Sequence, residues 1–65
     1  MTTNTELELK CLQIEVIVRA MVMHGITDNR KIVDAVSINY PPTSAWEQEM
    51  FSEAIIYAKY GVLIS

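Results

Sequence analysis

This chain predicts an all-α domain of three helices: a long first helix, a short second one, and a third set off by a Pro-Pro connector. Two observations carry that prediction. Capping and stop residues cut the chain into three segments, and the apolar residues of the long segments recur at helical spacing. No repeat, low-complexity tract or linker interrupts them, so residues 1–65 read as one domain.

The first segment opens on Thr3-Asn4-Thr5-Glu6 and Thr5-Glu6-Leu7-Glu8. Both have the Thr-x-x-Glu form, in which hydroxyl and carboxylate satisfy otherwise orphaned N–H groups. A helix is therefore expected from near Thr3 or Thr5. Its end is marked by His24-Gly25, a group that can carry positive charge followed by a glycine suited to the left-handed region. Glu6/Lys10 and Glu15/Arg19 stand in the favoured i,i+4 order.

The second segment is capped by Thr27 or Asp28, carries Ile32, Val33, Ala35 and Val36 on its apolar side, and is expected to stop near Ser37. Ile38-Asn39-Tyr40-Pro41-Pro42-Thr43 forms the connector, where Pro41 pushes Tyr40 out of the α region. The third segment opens with another capping box, Ser44-Ala45-Trp46-Glu47, and is expected to run to about Tyr60. Gly61 is then the C′ residue, and Val62-Leu63-Ile64 a short extended tail packed on the body, since leaving it in water is costly.

Size bounds what holds such a domain together. Domains of this length bury only roughly 60% of the surface their unfolded chains expose and usually need a disulfide, a metal or a partner chain. Cys11 is the single cysteine, which excludes an internal disulfide. His24 is the only other good soft ligand, so no metal site is expected. A partner chain is left, and a content of 51% hydrophobic residues suits it. The net charge of −3, five Lys plus Arg against eight Asp plus Glu, argues against binding phosphate backbones or anionic membranes. Met1-Thr2-Thr3-Asn4-Thr5-Glu6 has no positive n-region, and the apolar run Val16–Met23 is broken by Arg19 and too short to span a bilayer. The cytoplasm, with Cys11 reduced, is the expected setting.

The first helix is unusual on a wheel of about 100° per residue. Leu7, Cys11, Ile14, Val18 and Met21 form one apolar stripe, widened at its edges by Ile17 and Val22. Leu9, Leu12, Val16, Ala20 and Met23 form a second, roughly opposite. Glu8, Glu15 and Arg19 separate them on one side; Glu6, Lys10, Gln13 and His24 do so on the other. A surface helix ordinarily has one such stripe. The third helix presents Trp46, Met50, Phe51, Ala54, Ile55, Tyr57 and Ala58 in one broad arc that can cover one stripe, and Trp46 reads as core. The second helix is too short to cover the other. The wider stripe is expected to face inward, and Leu9, Leu12, Val16, Ala20 and Met23 to meet a second copy, making a homodimer through the first helix. The alternative is a first helix sandwiched by its neighbours within one chain.

Candidate chemistry is sparse. His24 offers an acid, base or ligand, but no constellation accompanies it, and a cap at a helix end accounts for it. Cys11 lies in an apolar stripe and reads as a small buried hydrophobe. Glu47 has a capping role, while Glu49 and Glu53 lie one turn apart on a polar face. Without a Gly-rich loop, nucleophile elbow or metal-ligand spacing, neither enzymatic activity nor a cofactor is expected. A helix-turn-helix-like DNA-binding regulator is the alternative function. Against it, the third helix opens with Glu47, Glu49 and Glu53, Arg30-Lys31 is the one adjacent basic pair, and the connector is long for that motif.

Tyr40, Pro41, Pro42, Ile56 and Tyr60 are the expected surface for a second protein. Two prolines narrow the conformations of Tyr40, and Ile56 and Tyr60 are the apolar break in a polar face. Equally, the C-terminal tail or a dimer mate could cover them. The opening Met1-Thr2-Thr3-Asn4-Thr5, the long helix through His24-Gly25 and the compact ending at Ser65 give the chain an overall look that resembles the small accessory proteins of lambda-like phages, encoded among early genes near recombination and excision functions. That resemblance implies expression in a bacterial cytoplasm and a non-essential role in shifting host physiology or the lysis–lysogeny choice through protein contacts. The expected function is thus a non-enzymatic protein–protein interaction module that pairs with itself and modulates a host or phage protein.

Overall fold

A computed structural model describes residues 2–65, with side chains described from Thr5 onward. Three α-helices account for the fold: α1 (Thr2–Met23), α2 (Asn29–Asn39) and α3 (Ala45–Leu63). Their order in space follows from which ends meet. Leu7, Cys11 and Leu12 of α1 adjoin Trp46 and Met50 at the start of α3, while Arg19 and Met23 adjoin Tyr57 and Ile64 near its end. α1 and α3 therefore run in the same direction. α2 runs back antiparallel to both, its N-terminal Asn29 held by Lys59 at 2.6 Å and its C-terminal neighbour Tyr40 bonded to Gln13. The Cα atoms span 36 × 21 × 15 Å, a thin slab in which α1–α3 is the dominant packing.

The core is made by the inward stripe of α1. Leu7, Ile14, Val18 and Val22 are buried together with Ile32 and Val36 of α2 and Phe51, Ala54, Ile55 and Ala58 of α3. Cys11, Ile17, Met21, Tyr40, Met50 and Val62 pack on its rim. No polar or charged residue is buried among the described residues, so burial carries no desolvation cost that must be offset by pairing.

The helix ends are set by local hydrogen bonding. At the end of α1, Ile26 N–H donates to the Met21 carbonyl and Gly25 N–H to that of Val22, both at 2.9 Å. This is the Schellman arrangement, and Gly25 occupies its left-handed position at φ 89°. Asp28 caps α2 by accepting from the Arg30 N–H at 2.9 Å. Ser44 caps α3 by accepting from the Glu47 N–H at 3.1 Å.

Three boundaries differ from the expectation. α1 is already helical at Thr2, so both Thr-x-x-Glu starts lie inside it. α2 runs on through Ser37 to Asn39, because the first residue that Pro41 forbids the α region is Tyr40. The connector is correspondingly shorter, and Ile38 becomes an exposed helical residue. α3 does not stop at Tyr60. It passes through Gly61 to Leu63, so Val62-Leu63-Ile64 is not an extended tail. Helical continuation turns Val62 onto the core rim and satisfies the Tyr60 carbonyl through the Ile64 N–H at 3.0 Å. Gly61 permits a helix as readily as a stop, and here packing of Val62 decides.

The two glycines therefore should respond oppositely to the same substitution. At Gly61 an added Cβ meets nothing within 4 Å and the backbone is helical, so Gly61→Ala is expected to stabilise the fold by about 0.5–1 kcal/mol. Gly25 also has free space, but its φ of +89° strains any L side chain, so Gly25→Ala is expected to destabilise it. Urea unfolding followed by circular dichroism measures both. A destabilising Gly61→Ala would contradict helical continuation at the C-terminus.

Candidate functional site

The residues left over by the core form two apolar surfaces. Among the described residues thirteen large hydrophobic side chains are exposed, against eight large ones and two alanines that are buried.

The first surface lies on α1, opposite the core. Leu9, Leu12, Val16 and Met23 are 54% to 75% exposed, and Ala20 between them is exposed as well. Their placement follows from the wheel: with Ile14 and Val18 fully enclosed, residues half a turn away must point outward. α3 lies along the Glu8, Glu15 and Arg19 side of α1, and α2 along the Lys10, Gln13 and Ile17 side. Glu15 and Arg19 close an ion pair at 2.9 Å, while Glu6 and Lys10 do not pair.

Trp46 belongs to this surface and not to the core as expected. It is 55% exposed, beside Leu7, Cys11, Leu12 and Met50. Tyr57, also placed on the buried arc by the sequence, is 73% exposed. The arc of α3 is broader than one neighbouring helix can cover. Phe51, Ala54, Ile55 and Ala58 occupy its centre, leaving Trp46 and Tyr57 on the flank beside α1. The spacing of Trp46, Met50, Tyr57 and Ile64 already traces that flank in the sequence.

The second surface is an open groove between α2 and α3. Asn29, Val33, Ser52, Ile55, Ile56, Lys59 and Tyr60 line one end; Val36, Tyr40, Pro42 and Phe51 line the other. The two ends share Val33, Ser52 and Ile55, so Tyr40 with Pro42 and Ile56 with Tyr60 stand at opposite ends of one groove. Pro41 is exposed beside it. Ile56 and Tyr60 are more than half exposed. Tyr40 is not a free anchor: it is half-buried on the core rim, and its hydroxyl donates to Gln13 Oε1. Val33 and Lys59 line this groove without belonging to the surface expected from the sequence: Val33 lies at the edge of the α2 apolar side, and Lys59 donates to Asn29 across the groove.

The groups with chemical potential are dispersed. His24 is exposed beside the end of α1, and Glu49 and Glu53 are exposed on α3. Burial, reinforced by the charges of Glu15, Glu47 and Glu8, pushes the Cys11 thiol up, which suppresses the thiolate. Glu47 closes the start of α3. Its Oε1 accepts from the Thr43 N–H at 3.1 Å and the Thr43 hydroxyl at 2.9 Å, one residue earlier than the usual capping box. Those two bonds, the backbone one first, hold its carboxyl below the usual range. Among the described residues no helix is long and apolar enough to cross a membrane. Compared with known proteins, the chain matches no protein-family model, no curated protein and no solved structure.

The Glu47 cap has a pH signature. A carboxyl whose folded pKa is depressed contributes stability above its unfolded value, lost as pH falls through the folded one. Glu47→Gln keeps an acceptor and removes the charge. It is expected to melt below the wild type at neutral pH, with the gap narrowing beneath the ordinary carboxylate range and closing once the wild-type carboxyl is protonated. Thermal melts between neutral pH and strong acid check this; a gap of constant size would remove the charge from the explanation.

Proposed function

We propose that this protein is a non-enzymatic protein–protein interaction module that assembles with itself through the outer stripe of α1 and presents the α2–α3 groove to a second protein. One observation supports this above the others: the core closes without Leu9, Leu12, Val16, Ala20 and Met23, yet these five form a continuous exposed apolar stripe. A symmetric second copy closes such a stripe at the least sequence cost, because one patch serves both partners. The resemblance to accessory proteins of lambda-like phages supplies the proposed setting, a bacterial host cytoplasm, and the proposed role, modulation of a host or phage protein.

Val16 tests the assembly. It is 61% exposed, so a glutamate there leaves the folded monomer nearly unchanged, but a seam would bury an unpaired charge. Val16→Glu is expected to cost about 3–5 kcal/mol of association, more than about a hundredfold in the dissociation constant. Sedimentation of wild type and variant measures it. A wild type that stays monomeric at high concentration would sink the proposal, and a specific, salt-sensitive DNA gel shift at submicromolar protein would put a DNA-binding regulator in its place.

The groove is tested separately. Tyr60→Ala combined with Ile56→Ser is expected to abolish capture of the second protein from bacterial lysate, while the melting temperature barely moves, because both side chains are more than half exposed. A collapse of the melting temperature instead would make these residues structural.

A further inference from the structure

The outer stripe of α1 reads the same in both directions. From Leu9 to Met23 its members are separated by three, four, four and three residues, so Val16 stands at the centre of a palindrome. Leu9 and Met23 lie seven residues either side of it, and Leu12 and Ala20 four. A stripe symmetric about one residue matches its own copy when the two helices run in opposite directions.

We infer that α1 pairs with α1 of a second copy in antiparallel register, with the two-fold axis beside Val16; this rests on the self-assembly proposed above. Three features favour it over the parallel alternative. The first is volume. Antiparallel pairing sets each Leu12 against Ala20 of the second copy, large against small, and each Leu9 against Met23. Parallel pairing sets Ala20 against Ala20 and Leu12 against Leu12, which alternately leaves a gap and crowds the seam.

The second is charge. About such an axis the Glu8, Glu15 and Arg19 side of one helix adjoins the same side of the other. Arg19 lies three residues beyond Val16, and the second copy's Glu15 reaches the same side of the axis. At a rise of about 1.5 Å per residue, the two are offset by roughly 3 Å along the axis. Arg19 pairs with its own Glu15 at 2.9 Å, with side chains 48% and 17% exposed, so Arg19 is the member of the pair free to lean toward the second copy's acidic edge. A parallel second copy would bring Gln13 and Ile17 of its α1 near Arg19 and no α1 carboxylate.

The third is extent. A standard interface takes about 800 Å² from each partner, roughly a sixth of the 4741 Å² available here. The stripe spans about 21 Å of helix at 1.5 Å per residue, which is long enough but narrow. Because α3 lies on the Glu15 and Arg19 side, the antiparallel arrangement puts both copies of α3 on the same side of the seam. The exposed Trp46 and Tyr57 then widen the contact from two helices to four.

Disulfide trapping decides the register. In a Cys11→Ala background, chains carrying Leu12→Cys are mixed with chains carrying Ala20→Cys and oxidised, and the products are separated without reduction. Disulfides form only where Cβ atoms approach to about 3.5–4.5 Å. Both positions are exposed, so folding should be retained, which circular dichroism checks. The expected product is the mixed Leu12→Cys/Ala20→Cys disulfide in large excess over the statistical mixture formed in urea, and Val16→Cys alone should link to its own copy. Homodisulfides at positions 12 and 20 would overturn the register while leaving self-assembly intact. Trapping no better than in urea, from a protein that sediments as a dimer, would place the seam elsewhere and overturn the inference alone. A monomer in sedimentation would overturn both it and the function proposed above.

Discussion

Ile14 and Val18, one turn apart on α1 and completely enclosed, are the contact on which the rest of the structure depends. Burying an aliphatic side chain of this size is worth roughly 1.5–3 kcal/mol, and these two do so between α2 and α3 at once. Ile32, Val36, Phe51, Ala54, Ile55 and Ala58 close around them. Their direction also settles the other side of α1. A helix is rigid in its angular spacing, so fixing Ile14 and Val18 inward forces Val16 and Ala20 outward.

The remainder of the fold keeps polar groups out of that centre. Among the described residues none is buried, and the few directional bonds sit at edges: Asp28 and Ser44 at helix starts, the Met21 and Val22 carbonyls at the turn through Gly25, Lys59 with Asn29 across the α2–α3 groove. Such bonds each contribute about 0.5–1.5 kcal/mol. They set where the helices begin and stop; the core sets how they lie. A chain this short cannot also cover two apolar stripes on one helix, and its thin slab shape is the result.

Function is proposed on the same physical footing. An apolar stripe opposite the core, bordered by Glu15 and Arg19 and flanked by exposed aromatics of α3, is unfavourable in water and symmetric enough to be closed by its own copy. The α2–α3 groove differs in its lining, with Lys59 at one end and Tyr40 at the other, and it is the surface proposed for a second protein.

By itself the sequence determined three helices, the Ser44 cap of α3, the α2 cap to within Thr27 or Asp28, the left-handed turn at Gly25, and which residues of α1 share a face, because capping chemistry and helical periodicity are local. It also showed that α1 carries two apolar stripes, since that needs only the wheel. Tertiary structure decided the rest. Gly61 is compatible with a stop or a continuation, and Val62 reaching the core rim chose continuation. Trp46 and Tyr57 lie on an arc wider than a single helix covers, so their exposure depended on where α1 settled. Tyr40 looked like an anchor stiffened by prolines until α2 ran to Asn39 and brought its hydroxyl to Gln13, twenty-seven residues earlier in the chain. Each of those outcomes turns on contacts between residues distant in sequence, which no local propensity encodes.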